Sequence, residues 1–584
     1  MKNKTEETAA SVSIYEFDRI CKEVDRELEA ELAGVFAQKR TYDKAAAYVA
    51  ALGDPAVLVK SCWGMAEGAG NETPGQFQSL MGENKWASEK MWDGIAATAA
   101  RNLGKNSGSD QLGPGVVADE TADEKRGKHT AGVSHQYAGC AGGVVNCVTW
   151  VMMSLIAPRS KTWISARTFL PEKTWFTGDG KTGAARRKKA GIPGKTAFAS
   201  KPELARLQYQ HLRELGIQFS WAAGDEVYGR YGKLREDHEK NGEAYAYFIP
   251  RNYVVRTSKG ESKKVDELLD RVDGRYELRS AGPGVNGPRY YEWAMLSLES
   301  KNHFLLIRKP ETIEPSIAER EPGREDTGKE SPAASGETPP ASAGKTGKAR
   351  SGDPVKDEFI TFCICYVPDD SPIKPTMTNM VTMAGKRWGA EETMGMAKGP
   401  IGWDESQFRQ WESTQHHTAL AGVAMLRANL IRERLGELPA TPRTAGEGTR
   451  IDGEETAEVA PAENSKSFGK AGEFDLQIPL GDSLIPYSAG QERPEKIGYI
   501  SLSVNEILRL ASIVRADMSE TKMAFHIAWS KWRRQHQAIA RWYRMQHRMK
   551  AEQKTLVNPP PPDRSRYVIE AAGTLQRKIA RVTH

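Results

Sequence analysis

The stretch Val116-Val117-Ala118-Asp119 carries an apolar run directly into a carboxylate. Burying a carboxylate inside an apolar strand is costly unless the carboxylate has a partner or a metal ion. A second apolar run, at residues 219–223, leads across one glycine to Asp225. Taken alone, an aspartate after a strand is more often a cap or turn residue. The two runs therefore predict buried strands, with Asp119 and Asp225 as candidates for one site.

The segments around these two runs predict an α/β fold. β-Rich runs and a helix alternate after Asp119, and the helix is predicted at residues 201–215. The remaining predicted strands are residues 132–137, 144–155, 163–170, 217–223 and 245–250. Three strands in close succession, followed by alternating helices and strands, indicate a mixed sheet flanked by helices.

The flanking regions have a different composition. Apolar side chains recur at helical spacing in residues 13–36, and short helices are predicted from there to Arg101. Residues 311–357 and 437–496 are of low complexity and cannot bury enough apolar surface to offset their ordering entropy. Between these two stretches, the pattern predicts one strand at residues 358–367 and two helices across residues 380–434.

The net charge of +6 is unevenly distributed along the chain. Residues 521–584 contain fourteen Lys and Arg against three Asp and Glu, an excess of eleven, so the rest of the chain carries about −5. A basic tail on a near-neutral protein indicates a polyanionic partner, most simply nucleic acid. A solvated charged helix is the alternative interpretation.

The sequence also predicts where the protein is found. The longest apolar run, residues 144–157, contains polar residues and is shorter than the roughly 20 apolar residues that span a bilayer. The polar, acidic start of the chain differs from a secretory signal. Six cysteines form no C-x-x-C pair, which argues against a zinc site and a disulfide framework. We therefore expect a cytoplasmic protein with no membrane partner.

A third candidate carboxylate, Glu391, lies in a segment that is predicted to be helical. Arg387 lies one turn before it and Lys398 about two turns after it, so the three side chains share one helix face. Phosphodiester chemistry can use two Mg²⁺ ions about 4 Å apart, and Mg²⁺ prefers carboxylate oxygens. A basic face beside such a site suits the phosphates of a cut strand.

Each candidate acid has an acidic neighbour along the chain. These neighbours are Glu120, Glu226 and Glu392. Strand and helix phase determines which member of each pair faces the site, and the sequence alone leaves that choice open.

These blocks resemble the DDE transposases of bacterial insertion sequences, which have an RNase H-like catalytic core. The chain looks most like the subclass with a Tyr-x-x-Arg-x-x-x-Glu-x-x-x-x-x-x-Lys signature. Arg387, Glu391 and Lys398 match that signature, and Ala384 replaces its tyrosine. Further similar blocks are residues 116–121, 132–139, 146–147, 170–175, 199–205, 224–229, 399–404, 416–418 and 524–550.

The resemblance implies how the chain is divided. The core would be RNase H-like, with a β-rich insertion between its two parts and helical regions at both ends. The implied divisions are a helical N-terminal DNA-binding region (1–108), the first part of the core (109–255), the insertion (256–375), the second part of the core (376–436), a linker (437–496) and a basic helical C-terminal region (497–584).

The resemblance also implies an activity. The chain would be a cut-and-paste DNA transposase that binds the ends of an insertion sequence, cleaves phosphodiester bonds and joins the freed 3′-hydroxyl to target DNA. Asp119, Asp225 and Glu391 would hold two Mg²⁺ ions, for which Mn²⁺ can substitute. The implied partners are double-stranded DNA and a second copy of the chain, at the bacterial nucleoid. A related RNase H-like nuclease and a domesticated, non-catalytic DNA-binding protein are the alternatives.

Several residues are expected to contact DNA. Arg387 and Lys398 would bind phosphates, and Trp293 of the insertion would stack on a flipped base or else pack the insertion's own core. The expected phosphate contacts in the C-terminal region are Lys531, Arg533, Arg534, Arg541 and Arg544. The spacing of three nearby tryptophans instead predicts core positions for Trp529, Trp532 and Trp542.

Overall fold

The structure, a computed structural model, describes residues 11–71, 73–103, 112–177, 181–284, 287–310, 359–437, 476–481, 499–516 and 518–557. The predicted low-complexity stretch 311–357 lies outside these residues, and so does most of the predicted linker 437–496.

The N-terminal region is helical, as its spacing predicts. Its elements are β1 (Ser11–Ser13), α1 (Ile14–Leu32), a 3₁₀ turn (Ala33–Val35), α2 (Lys39–Leu52), α3 (Cys62–Gly68), α4 (Gly75–Gly82) and α5 (Ser88–Leu103). The Ser13 side chain begins α1 by accepting a hydrogen bond from the Glu16 amide, which is one of the donors left open at a helix start. The apolar face of α1, including Phe17 and Val24, is fully buried.

The middle of the chain supplies most of the strands. They are β2 (Gly115–Glu124), β3 (Ser134–Ala138), β4 (Gly143–Ile156), β5 (Lys161–Phe169), β6 (Trp221–Gly224), β7 (Ala244–Ile249), β8 (Val254–Arg256), β9 (Ser262–Lys264), β10 (Glu277–Gly284), β11 (Gly287–Ser297), β12 (His303–Pro310) and β13 (Thr361–Tyr366). The helices between these strands are α6 (Glu172–Trp175), α7 (Lys181–Lys189), α8 (Lys201–Glu214), α9 (Glu226–Gly229), α10 (Gly232–Lys240) and a 3₁₀ stretch (Val265–Val272).

The last third of the described chain is mainly helical. Its elements are α11 (Met377–Lys386), α12 (Trp388–Lys398), a 3₁₀ turn (Trp403–Glu405), α13 (Trp411–Glu437), β14 (Gln477–Pro479), α14 (Val504–Arg515) and α15 (Glu520–Val557). The prediction of two helices across residues 380–434 was wrong, since three helices occupy this range. Pro400 follows α12 after one glycine and cannot continue a helix, because it has no backbone N–H.

A mixed sheet of ten strands, counted over the described residues, organises the fold. Its order is β10-β11-β12-β13-β7-β6-β2-β4-β3, and β5 pairs with β4. β2, β6 and β7 run parallel to one another, and β2–β4 and β7–β13 are antiparallel. The predicted α/β class, with an RNase H-like mixed sheet flanked by helices, is confirmed. Strands of the predicted insertion, β10 to β12, extend this same sheet.

The two faces of the sheet pack against different helices. Ala118 of β2 shares a core with Tyr209 of α8, whereas Val117 shares another core with Ala390 of α12. Successive side chains of a strand point to opposite faces. Asp119 therefore has the same orientation as Val117, toward α11 and α12.

The N-terminal helices share the α13 side of the core. α5 packs against α13 and β5, and the His416 ring stacks on Trp86 with ring centroids 3.9 Å apart. The next residue, His417, accepts a hydrogen bond at Nδ1 from the Tyr48 hydroxyl (2.8 Å) and donates from Nε2 to the Trp403 carbonyl (2.7 Å). These contacts tie α2 and the loop between α4 and α5 to the second part of the core.

A close approach between α11 and β10 gives a first prediction. A β-carbon on Gly385 would lie 2.3 Å from the backbone oxygen of Ala281, so Gly385→Ala must push α11 away from the sheet. We expect a loss of about 1–3 kcal/mol in the free energy of unfolding, measured as a lower Tm. The control is Gly395→Ala in α12, where a β-carbon meets nothing within 4 Å and helix propensity favours alanine. Equal Tm values for the two variants would contradict this packing.

The His417 contacts give a second prediction. Burial lowers the pKa of His417 to about 4, against an ordinary value of 6.5. The unfolded chain takes up this proton as the pH falls below 6.5, and the folded chain does not, so stability is lost as the pH falls from 6.5 to about 4. His417→Gln should flatten that dependence by up to about 1.4 kcal/mol per pH unit. Chemical unfolding at several pH values checks this, with exposed His129→Gln as the control, and parallel curves for wild type and His417→Gln would refute it.

Candidate active site

Asp119 lies on β2 with its side chain almost fully buried. Its Oδ2 accepts a hydrogen bond from Arg387 Nη1 at 3.1 Å, and its Oδ1 accepts one from the Glu120 amide at 2.9 Å. Burial, together with the nearby Asp225 and Glu120 carboxylates, raises the pKa of Asp119 to about 7 despite the opposing charge of Arg387. The chain thus holds a carboxylate where its charged form is costly, which is common at functional sites.

Asp225 lies beside Asp119 because β2 and β6 run parallel in register. Val117 of β2 is paired with Ala223 of β6, and each aspartate follows two residues later. The Asp225 side chain begins α9 by accepting a hydrogen bond from the Val227 amide at 2.9 Å. Burial, and then the Glu120 charge, raises the pKa of Asp225 above its ordinary value. The structure therefore brings together the first two predicted acids.

Glu391 is linked to Asp119 through one arginine side chain. Arg387 precedes α12 and donates from Nη2 to Glu391 at 2.6 Å while its Nη1 contacts Asp119. Burial opposes the charge of Arg387, but Asp119 and Glu391 together raise its pKa above the ordinary value. The three predicted acids are thus joined in one region, with the guanidinium between the first and the third.

The tightest acidic cluster among the described residues has a different third member. Asp119, Glu120 and Asp225 each offer a carboxylate oxygen, and these oxygens lie within 4.8 Å of one another. Glu120 also accepts hydrogen bonds from Lys201 Nζ (2.9 Å) and the Tyr228 hydroxyl (3.0 Å). Oxygen ligands of this kind suit Mg²⁺ or Mn²⁺. From the sequence, Glu120 stood out only as the acidic neighbour of Asp119.

The two other acidic neighbours point to different partners. Glu392 pairs with Lys161 at the start of β5. Glu226 is exposed and pairs with Arg230 one helical turn later, at 3.4 Å. Arg387 instead contacts Glu391, so the geometry favours Glu391 over Glu392 for the position beside Arg387.

The predicted common face of α12 lies on β2. Lys398 Nζ donates a hydrogen bond to the Ala122 carbonyl at 2.6 Å. Ala122 lies on β2 three residues after Asp119, which is the partner of Arg387. Ala384, where the resemblance implied a tyrosine, is buried in α11 and packs in the core between α11 and the sheet. Position 384 therefore offers no hydroxyl, whereas Arg387 contacts Asp119 and Lys398 contacts the same strand at Ala122.

Trp293 does not have the exposure that base stacking requires. It lies on β11 with a fully buried side chain, and Tyr291 packs edge-on against it with ring centroids 6.0 Å apart. The expected stacking role is corrected in favour of the alternative, since a residue of the hydrophobic core has no face left for a base. The insertion's strands form part of the large sheet, which explains why this indole is covered.

The C-terminal residues divide between buried and exposed positions. Arg534 is buried and donates to the backbone carbonyls of Ile500 and Pro479, so its expected phosphate contact is corrected to a structural one. Arg533 pairs with Glu506 of α14. Lys531 and Arg541 are half-buried, and Arg544 is exposed.

The expectation that three tryptophans of α15 are core residues holds for one of them. Trp542 is buried, but Trp529 and Trp532 are about half exposed. Trp529 and Trp532 share a face of α15 that the structure leaves exposed, and Trp542 lies on the packed side. Among the helices that the structure describes, none has the length and apolar character needed to cross a membrane.

The position of Arg387 gives a third prediction. Arg387→Met removes the cation shared by Asp119 and Glu391 and leaves a buried carboxylate without its partner, which costs about 3–5 kcal/mol. We expect a clearly lower midpoint of chemical unfolding. Arg230→Met breaks an exposed ion pair and should change stability by less than about 1 kcal/mol. Similar small losses in both variants would show that Arg387 is not a structural bridge.

One protein family and one known protein are similar to parts of this chain. A family model described as DDE superfamily endonuclease matches residues 31–264, a range that includes Asp119 and Asp225 and ends before Glu391. The probable transposase for insertion sequence element IS701 from Microchaete diplosiphon is 23% identical over 194 residues, which is 30% of this chain and 44% of that protein. The chain thus aligns with less than half the length of this relative. Together with the acidic cluster, the two matches support a DDE-type nuclease or transposase.

Proposed function

We propose that the protein is a cut-and-paste DNA transposase, which cleaves at the ends of an insertion sequence and joins the freed 3′-hydroxyl to target DNA. One observation carries the proposal. Asp119 and Asp225 lie side by side, two residues beyond the last paired residues of the parallel strands β2 and β6, and Arg387 connects Asp119 to Glu391. The range matched by the DDE endonuclease family contains the first two of these acids.

The carboxylate oxygens of the candidate site fit a pair of divalent cations. DDE endonucleases typically use such ions, and buried carboxylate oxygens are the ligands that Mg²⁺ prefers. Asp119, Asp225 and Glu391 would hold Mg²⁺, or Mn²⁺ in its place, with Glu120 as a further oxygen donor within 4.8 Å of the two aspartates. When bound, two such ions activate the attacking hydroxyl and stabilise the leaving oxygen.

The chain's own basic groups would position the DNA. Arg387 forms ion pairs with Asp119 and Glu391 in the structure, and it would release them to bind a phosphate of the cut strand. Lys398 lies along the same side of α12 and would bind a neighbouring phosphate. Because Arg387, Glu391 and Lys398 keep their signature spacing, we retain the Tyr-Arg-Glu-Lys subclass as part of the proposal.

The proposal includes the partners and the division of labour expected from the sequence. The helical N-terminal region (1–108) would recognise the element's ends, and the C-terminal region (497–584) would bind flanking or target duplex through Lys531, Arg541 and Arg544. A homodimer would bring two ends together near the bacterial nucleoid. The core (109–255 and 376–436) would carry out the chemistry, with the insertion (256–375) beside it.

A nuclease related to these enzymes is the second candidate. The family match is to endonucleases, and an endonuclease would cut DNA without joining it. A non-catalytic descendant would not need to keep the two aspartates side by side on adjacent parallel strands. Strand transfer of a 3′-hydroxyl end into a target plasmid separates a transposase from a nuclease.

Substitution of single acids gives the fourth prediction. In Mg²⁺ or Mn²⁺, the full chain should cleave duplex DNA that contains the sequences flanking its gene. Asp119→Asn, Asp225→Asn and Glu391→Gln should each lower the cleavage rate by more than about a thousandfold, because each removes an oxygen donor without changing side-chain size. The measurement is the rate of nicked and cut product under single-turnover conditions.

Adjacent acids provide matched controls. Glu392→Gln changes the neighbour of Glu391 on the same helix, and Glu226→Gln changes the neighbour of Asp225. Both variants should keep most of the cleavage rate. Undiminished cleavage by Asp119→Asn would sink the proposed function, and loss with Glu392→Gln but not Glu391→Gln would move the third ligand by one residue.

A further inference from the structure

An exposed row of aromatic side chains runs along α15. Phe525, Trp529, Trp532 and Tyr543 are between 45% and 51% exposed. Steps of four, three and eleven residues place them on one face of a helix with 3.6 residues per turn. The row is continuous around Trp532, where Trp529 packs edge-on at 5.4 Å and His536 covers the ring at 3.9 Å between centroids.

The opposite side of α15 is already packed. Trp542 and Ala538 are buried and share a small core with Ile500. Arg534 fixes the same side through its bonds to the Ile500 and Pro479 carbonyls. The aromatic row is therefore the outward face of an anchored helix, and large exposed aromatic patches mark interaction sites.

The charge of α15 indicates which kind of partner would bind the aromatic row. Glu520–Val557 contains nine Lys and Arg against two Glu. Lys522 is exposed one turn before Phe525, and Arg544 is exposed next to Tyr543. Two copies of a helix with this charge would repel each other, whereas a polyanion would be attracted. Charge complementarity therefore favours nucleic acid over a second copy of the chain.

Exposed rings beside cations fit an unpaired strand better than a duplex. In a duplex the base faces are already stacked, so a protein gains mainly from phosphate contacts. In a single strand, base faces are open and stack on aromatic side chains while Lys and Arg follow the backbone. Four aromatic rings in a row provide such a surface, with Trp529 and Trp532 at its centre.

We propose that α15 binds single-stranded DNA by stacking bases on Trp529 and Trp532. The inference rests on the proposed function for its setting, because an enzyme that cuts and joins DNA meets unpaired strands at the ends it opens. This role replaces the core role that the spacing of these two tryptophans predicted. It also differs from the phosphate contacts expected of the neighbouring arginines.

The test compares single-stranded and duplex DNA of the same length on the full chain. Fluorescence anisotropy of a labelled 20-nucleotide oligo-dT, in EDTA, measures binding without cleavage. The double variant Trp529→Ala, Trp532→Ala should weaken binding of oligo-dT by about tenfold or more and duplex binding by less than about twofold. The double variant with phenylalanine at both positions should keep most of the affinity, since an aromatic face remains.

Tyr137→Ala is the matched control, because Tyr137 is 65% exposed on β3, outside both the N-terminal and the C-terminal DNA-binding regions. It should leave both affinities unchanged, and circular dichroism should show that every variant is folded. Unchanged oligo-dT affinity in the alanine double variant would overturn the inference. So would loss of a solution dimer, measured by sedimentation, with oligo-dT affinity intact, because the row would then be a self-association surface. Because EDTA stops cleavage, failure here is distinguishable from failure of the proposed function.

Discussion

The bridge that Arg387 makes between Asp119 and Glu391 is the interaction on which the arrangement of the site depends. Asp119, Glu120 and Asp225 bring three carboxylates within 4.8 Å at one end of a buried strand pair. Such a cluster is unstable without a compensating cation, and the raised pKa of Asp119 reports that cost. The guanidinium supplies the charge and, because it reaches Glu391, also fixes α12 against the sheet.

Strand phase explains which parts of this site could be predicted from the sequence. The apolar runs before Asp119 and Asp225 predicted two buried strands, and β2 and β6 lie there. Their parallel register, which makes the two aspartates neighbours, depends on a pairing between segments about a hundred residues apart. No local pattern encodes that pairing. The choice between Glu391 and Glu392 likewise depended on Lys161, which comes from a different strand.

The less successful predictions share a physical cause. Trp293 lies on a strand that joins the large sheet, so it is covered by neighbours that come from distant parts of the chain. Trp529 and Trp532 have the spacing of a buried helical stripe, but α15 packs through Trp542 and Arg534 instead. A periodic pattern predicts which side chains share a face. It does not determine whether another element covers that face, and only tertiary packing decides this.

The insertion contacts the helices of the site through the Arg289 side chain and the backbone of β10. Arg289 of β11 donates from Nη2 to the Ala281 carbonyl of β10 and to the Gly385 carbonyl of α11, at 2.6 and 2.9 Å. Gly385 is two residues before Arg387, and it approaches β10 so closely that no side chain fits between them. The insertion strands therefore fix the position, relative to the sheet, at which α11 ends and α12 begins. Arg387 lies at that junction. The strands β10 and β11, which are the farthest from β2 in the order of the sheet, therefore help to determine where the guanidinium shared by Asp119 and Glu391 lies.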